Sequence, residues 1–236
     1  MIHTDKSAWL TILVVEFIFA VVTHAVLVRY WTYSLDAELI RTPLRLAVVL
    51  IYWWLLRDFI RSQPIESSTL LHPSLLFPLL LFLSVPLLVG DLSYMTPATR
   101  VVYALTSIAV ALREEIAFRA LIQNLLAKRF GSPAAIILTT LAFTAFHIGA
   151  IPLSWFAYGQ VVIASVLLGV VFARTQNLWL VVCLHTLYDA LWSATPVLSP
   201  PFPYSVGLVV LSVALCGILW WGCPTLRPTH RSAGPA

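Results

Sequence analysis

The sequence predicts an all-α, polytopic transmembrane helix bundle of about eight spans. Three observations carry that prediction. Of 236 residues, 60% are hydrophobic and only 10% are charged, whereas a soluble domain carries about a quarter charged residues. The mean hydropathy is +0.92. The apolar residues also fall into runs of about 20, the length a helix needs to cross a bilayer, divided by polar or proline-containing breaks. A pI near 9.2 reflects Lys and Arg scattered through short loops, where they orient a membrane protein. Membrane lipid is therefore an expected partner, and nucleic acid is not.

Taken in order, the runs predict helices over 8–29, 43–60, 70–90, 98–128, 133–151, 154–173, 177–194 and 204–222. The first lacks the small-residue cleavage pattern of a signal peptide and is read as a span. The second has a short apolar centre between Arg45 and Arg57, which are expected to snorkel from its ends. The third carries Pro73, Pro78 and Pro86 and is predicted to kink, because neighbouring helices can satisfy the freed carbonyls. The fourth is long enough to tilt or to project past the bilayer. Cys183, Cys216 and Cys223 lack metal-like spacing and are read as small packing residues. The C-terminus carries no lipidation motif. These runs divide the chain into N-terminal helices (1–94), a central helical region (95–195), a C-terminal helix (196–223) and a disordered tail (224–236).

Loop charges predict the orientation. With eight spans, Lys6, Arg57, Arg61, Lys128, Arg129, Arg174, Arg227 and Arg231 share one side, and Arg29, Arg41, Arg45 and Arg100 the other. Eight against four places both termini in the cytoplasm. Short loops and the absence of soluble appendages fit a bacterial plasma membrane.

Ionisable groups inside a bilayer cost several kcal/mol unless paired or hydrated, so they mark candidate functional sites. The densest group is Arg113-Glu114-Glu115-Ile116-Ala117-Phe118-Arg119 in the fourth span. Glu115 and Arg119 are four apart on one helical face, positioned to form an ion pair. Glu114 points about 100° away and has no evident partner in its own helix, which leaves it to face a cavity as a candidate general base. His147 closes Phe143-Thr144-Ala145-Phe146-His147 in the fifth span, and His185 and Asp189 are four apart in the seventh. At 1.5 Å per residue, Glu114 and His147 lie roughly 22 Å along their helices, Asp189 roughly 20 Å and His185 roughly 14 Å. Three spans thus bring polar groups towards one layer. Glu16 and His24 in the first span are read as making a hydrogen bond or an Arg pair inside the bundle.

Glu114-Glu115-x-x-x-Arg119, Phe143-x-x-x-His147 and His185-x-x-x-Asp189, in that order on separate helices, resemble the motifs of the CPBP intramembrane protease family. That family includes the type II CAAX prenyl endopeptidases and relatives of lysostaphin-resistance protein A. The resemblance covers roughly 95–195 and implies an eight-helix bundle that hydrolyses a peptide bond of a membrane-embedded or lipidated protein or peptide. It implies that Glu114, with His147, activates the attacking water. His185 and the residue at 189 would stabilise the oxyanion, and Glu115 and Arg119 would brace the helix. Prenyl endopeptidases usually carry Asn where this chain has Asp189, whereas Asp is familiar among bacterial relatives. An ionised Asp cannot donate to an oxyanion, so Asp189 must be protonated, orient His185, or bind a metal.

Two mechanisms follow. One needs no cofactor and uses Glu114 as base; this version is preferred. The other places Zn²⁺ on His147, His185 and Asp189 and activates a bound water, although the HExxH arrangement is absent. Outside proteolysis, the same residues would suit a non-catalytic bacteriocin-immunity or scaffold protein, or a proton-coupled transporter. The transporter reading lacks an inverted repeat.

Overall fold

A computed structural model describes residues 5–30, 34–62, 73–90, 96–151, 154–194 and 202–222. Cys223, Arg227, Arg231 and the tail 224–236 lie outside the described residues. The elements are α1 (Asp5–Arg29), α2 (Leu35–Ser62), α3 (Pro73–Val89), α4 (Pro97–Glu115), a π-helical segment (Ile116–Gln123), α5 (Asn124–Phe130), α6 (Ser132–Phe146), α7 (Trp155–Thr175), α8 (Leu178–Ala194) and α9 (Tyr204–Gly222). No strand occurs among the described residues. The molecule is all-α.

Local chemistry sets the helix ends. Thr96 accepts a hydrogen bond from the Thr99 amide, with Pro97 following in the first turn of α4, so a side chain and a proline take over two of the unsatisfied N-terminal positions. Ser154 does the same for the Ala157 amide at the start of α7. Gly131, at φ 80°, makes the sharp reversal between α5 and α6 that a residue with a Cβ would resist. The backbone stays right-handed helical through Ile116 and Asn124. Residues 97–130 therefore form one unbroken rod whose middle is a wider π turn.

The second helix begins earlier than its apolar run. Ser34 Oγ accepts from the Ala37 amide at 3.2 Å, Asp36 and Glu38 occupy the first turn, where the helix dipole favours acidic residues, and α2 runs on through Pro43. Arg45 does not snorkel. It is 5% exposed and bonded to Glu38 at 2.7 Å, because a carboxylate within the bundle offers it a better partner than the bilayer edge. Arg57 does reach outward, beside Asp58. Cys183 and Cys216 are free and exposed on the outer helix faces, so they do not fill the core.

Two apolar cores flank the α4 rod. One joins α3, α7, α8 and α9, with Phe82, Val85, Leu167, Val171, Val181 and Leu211 at its centre. The other joins α1 and α2 to the π segment and α6 through Ile12, Phe19, Tyr52, Phe118, Leu121 and Phe143. The outer surface is apolar, with Phe17, Trp54 and Trp220 largely exposed, while Arg113, Glu115 and Arg119 are at most 1% exposed. A surface more oily than the charge-bearing interior is the distribution a hydrocarbon solvent selects. Lys6–Arg29, Leu35–Asp58 and Trp155–Thr175 are long and apolar enough to cross a membrane, and the apolar helices Leu75–Val89, Ser132–Phe146, Leu178–Ser193 and Tyr204–Trp220 are shorter. The chain is an integral membrane helix bundle.

Candidate active site

The site is built where α4 passes into the π segment, facing α8 and α6. Glu115 is wholly buried. Its Oε2 accepts from Arg119 Nε at 3.1 Å, so the pairing expected from their spacing forms. Arg119 Nη2 also donates to Ser165 Oγ at 3.2 Å, and Ser165 donates to Thr140 Oγ1. One turn on, Gln123 Nε2 donates to the Gly169 carbonyl at 2.9 Å. This ladder fastens the π segment to α7 and α6.

Glu115 has a second task that its spacing did not reveal. Its Oε1 lies 2.7 Å from His185 Nδ1. A carboxylate can only accept, so Nδ1 carries the hydrogen, and His185 Nε2 is left 3.9 Å from Glu114 Oε2 and 3.6 Å from Asp189 Oδ2. The two adjacent glutamates, predicted to point apart, meet the two nitrogens of one imidazole from α8. His147 ends α6, and its Nδ1 lies 2.8 Å from the Phe143 carbonyl. That carbonyl also only accepts, so Nδ1 carries a hydrogen, and Nε2 is the nitrogen left for another partner.

A cavity of about 590 Å³ collects these groups. Glu114, His147, His185 and Asp189 line it; Glu115 and Arg119 stand behind its wall. No ion pair within 4.0 Å joins Glu114 to His147 among the described residues, although both face the cavity. Phe82, Tyr188 and Trp192 form an aromatic part of the lining, with Phe82 and Tyr188 stacked at 4.3 Å between ring centroids.

Two polar groups at the site went unassigned from sequence. Arg113 is ion-paired to Glu16 of α1, which also accepts from Tyr52 Oη at 2.5 Å. Its guanidinium lies 3.9 Å from the Phe19 ring centre and 4.3 Å from that of Phe146, and its Nη1 is 3.7 Å from Glu114 Oε1. Glu114 thus has a cationic neighbour within its own helix, contrary to expectation. The expected Arg pairing of Glu16 forms, and an acidic residue alone in the first span was the available signal for it. His24 lines the cavity. The second group, Glu38 with Arg41 and Arg45, lines the cavity from α2.

The zinc alternative needs His147, His185 and Asp189 as one ligand set. Among the described residues no group of three or more His, Cys, Asp or Glu is arranged to hold a metal ion. The Nδ1 atoms of both histidines are engaged by Phe143 and Glu115, which leaves their Nε2 atoms as the nitrogens through which either ring could ligate.

Residues 96–191 match the profile of a family described as type II CAAX prenyl endopeptidase Rce1-like. Comparison with curated proteins and with solved structures gives no match. The matched segment contains Glu114, Glu115, Arg119, His147, His185 and Asp189. Over residues 96–191, the chain is thus similar to the Rce1-like family of type II CAAX prenyl endopeptidases.

Proposed function

We propose that the protein is an intramembrane endopeptidase that hydrolyses a peptide bond of a membrane-associated protein or peptide, with a water activated by Glu114. The observation that carries this reading is the shared cavity: a carboxylate and two imidazoles converge on it from α4, the end of α6 and α8. In the proposed reaction a water between Glu114 and His147 loses a proton to Glu114 as its oxygen attacks the scissile carbonyl. His147 Nε2 accepts the water's other hydrogen bond and orients it. His185 presents Nε2 to the developing oxyanion, and a doubly protonated ring would donate Nε2–H to it. Asp189, 3.6 Å from that nitrogen, orients the ring. The proton held by Glu114 then passes to the leaving amine as the C–N bond breaks. Glu115 holds His185, and Arg119 holds Glu115.

The same reading takes all eight helical units as spans, with the α4–π–α5 rod counted as one. Arg41 and Arg45 lie inside the bundle rather than in loops. Removing them from the loop tally leaves Arg29 and Arg100 opposite the N-terminal side, which favours cytoplasmic termini more strongly. A bacterial plasma membrane is the proposed location.

Glu114→Gln tests the reading. Membrane peptidomes of cells carrying wild type should contain cleavage products that Glu114→Gln and His147→Ala abolish, with losses of roughly 100-fold or more. Equal products from wild type and Glu114→Gln would remove proteolysis as the function. Purified protein should keep its activity in strong chelator; full loss reversed by zinc would replace the cofactor-free mechanism.

A further inference from the structure

Arg113 stands between two carboxylates and is bonded to only one of them. Its Nη2 pairs with Glu16 of α1, and Glu16 is itself held by Tyr52 Oη of α2 at 2.5 Å. The other terminal nitrogen, Nη1, stops 3.7 Å from Glu114 Oε1, beyond hydrogen-bond length. The second oxygen of Glu114 is 3.9 Å from His185 Nε2. Neither oxygen accepts a hydrogen bond among the described residues. Phe19 and Phe146 hold the guanidinium 3.9 and 4.3 Å from their ring centres, so a carboxylate and two aromatic rings fix its direction. Arg113 and Glu114 line the cavity, whereas Glu16 and Tyr52 stand behind its wall. Were Glu16 neutral, Glu114 would be the one carboxylate left within 4.0 Å of Arg113 among the described residues, and a guanidinium grips a carboxylate through two parallel bonds.

We infer that Glu16 is a positioning residue for catalysis: from behind the cavity wall it draws Arg113 off Glu114 and keeps both oxygens of the general base free for a water. The inference rests on the proteolytic reading of Glu114. A base must offer a lone pair to the proton it takes. A carboxylate gripped by a guanidinium has both oxygens committed to N–H donors, which makes it a poor partner for water. Two helices share the task. Glu16 supplies the charge, Tyr52 fixes its direction, and Phe19 gives the guanidinium a π face to rest on. All three precede residues 96–191, so similarity over that segment does not account for them. An ion pair that only fastened α1 to α4 would make its two members equivalent, because removing either breaks the same bond. The positioning role makes them unequal: Glu16→Gln releases a cation onto Glu114, whereas Arg113→Gln takes that cation away.

The test uses the full chain in lipid nanodiscs and two readouts. Dicyclohexylcarbodiimide attaches to free carboxyls in apolar surroundings, and peptide mapping follows its adduct on Glu114 without any substrate. Cleavage of a mixture of apolar octapeptides is followed by mass spectrometry, with kcat and KM measured on the peptide cut fastest. Glu16→Gln should slow labelling of Glu114 roughly 10-fold or more and lower kcat roughly 10- to 100-fold, as one new charge-assisted contact implies, with KM changed by no more than about twofold. Arg113→Gln breaks the same ion pair and should affect both readouts far less, and the double variant should behave like Arg113→Gln. Tyr52→Phe keeps every charge and should fall between wild type and Glu16→Gln; if Glu16→Gln does not fold, Tyr52→Phe matching wild type in both readouts overturns the inference. Equal losses in Glu16→Gln and Arg113→Gln also overturn it, as does a Glu16→Gln effect confined to KM. Cleavage by wild type with equal labelling of all variants removes the role of Glu16 and leaves proteolysis standing. Unequal labelling with no cleavage beyond that of Glu114→Gln does the reverse, since Glu16 would still be holding Arg113 off Glu114.

Discussion

The bundle contains two Glu–Arg clusters built from the same residue types at helical spacing, and they have opposite characters. Glu115–Arg119 is balanced one to one, at 0% exposure, and closed by Ser165 and His185. Glu38–Arg41–Arg45 sets two cations on one anion in the cavity wall. A buried pair that stands behind the cavity wall has no route to a ligand, and it holds helices in register. A cluster with two cations on one anion depends for its balance on the carboxylates of Glu114 and Asp189 across the cavity. The difference lies in stoichiometry and exposure to the cavity, not in residue type.

The largest effect should come from opening the balanced pair. Arg119→Ala leaves Glu115 buried against His185 alone and is expected to cost about 3–5 kcal/mol, read as a collapse of thermal stability in detergent. Arg41→Ala should cost no more than about 1.5 kcal/mol, because Glu38 keeps Arg45 and Thr106. Equal losses would erase the distinction. Next, Glu16→Gln leaves the fully buried Arg113 without its carboxylate, at a cost of about 1–3 kcal/mol. A double-mutant cycle with Arg113→Gln should return most of that as coupling, placing the α1 contact in the balanced class.

A smaller effect is expected at Gly169. An added Cβ there would meet Gln123 Oε1 at 3.2 Å and Ile136 Cγ2 at 3.3 Å, so Gly169→Ala should cost about 1 kcal/mol by overpacking the locked side. Gly159→Ala meets only the tips of Leu208 at 3.2 Å, which can turn away. If Gly159→Ala proved the more harmful, the α7 packing beside Arg119 would be looser than its hydrogen bonds indicate. The smallest change, Tyr52→Phe, removes one bond to Glu16 and should cost about 1 kcal/mol or less.

Much of the site was readable from spacing. Glu115 and Arg119 are four apart and pair; Glu114, His147, His185 and Asp189 reach one cavity from helices whose depths could be counted. Contacts between helices were not readable. Nothing in Arg113-Glu114-Glu115 indicates that Glu115 would reach His185 Nδ1, or that Glu16, some hundred residues earlier, would neutralise Arg113. Arg45 was expected at the bilayer edge because hydropathy treats each charge as isolated, whereas Glu38, two turns earlier on the same face, made burial tolerable. The early start of α2 has the same origin: its paired charges broke the apolar run without breaking the helix.

By itself, the sequence determined the class of solvent, the helical units and the short-range pairings, since these depend on composition and on the 3.6-residue period. Tertiary structure alone decided which charges are balanced and which face the cavity. That outcome depends on how helices distant in the chain rotate and pack against one another, and a buried charge takes its character from the neighbour that packing brings to it.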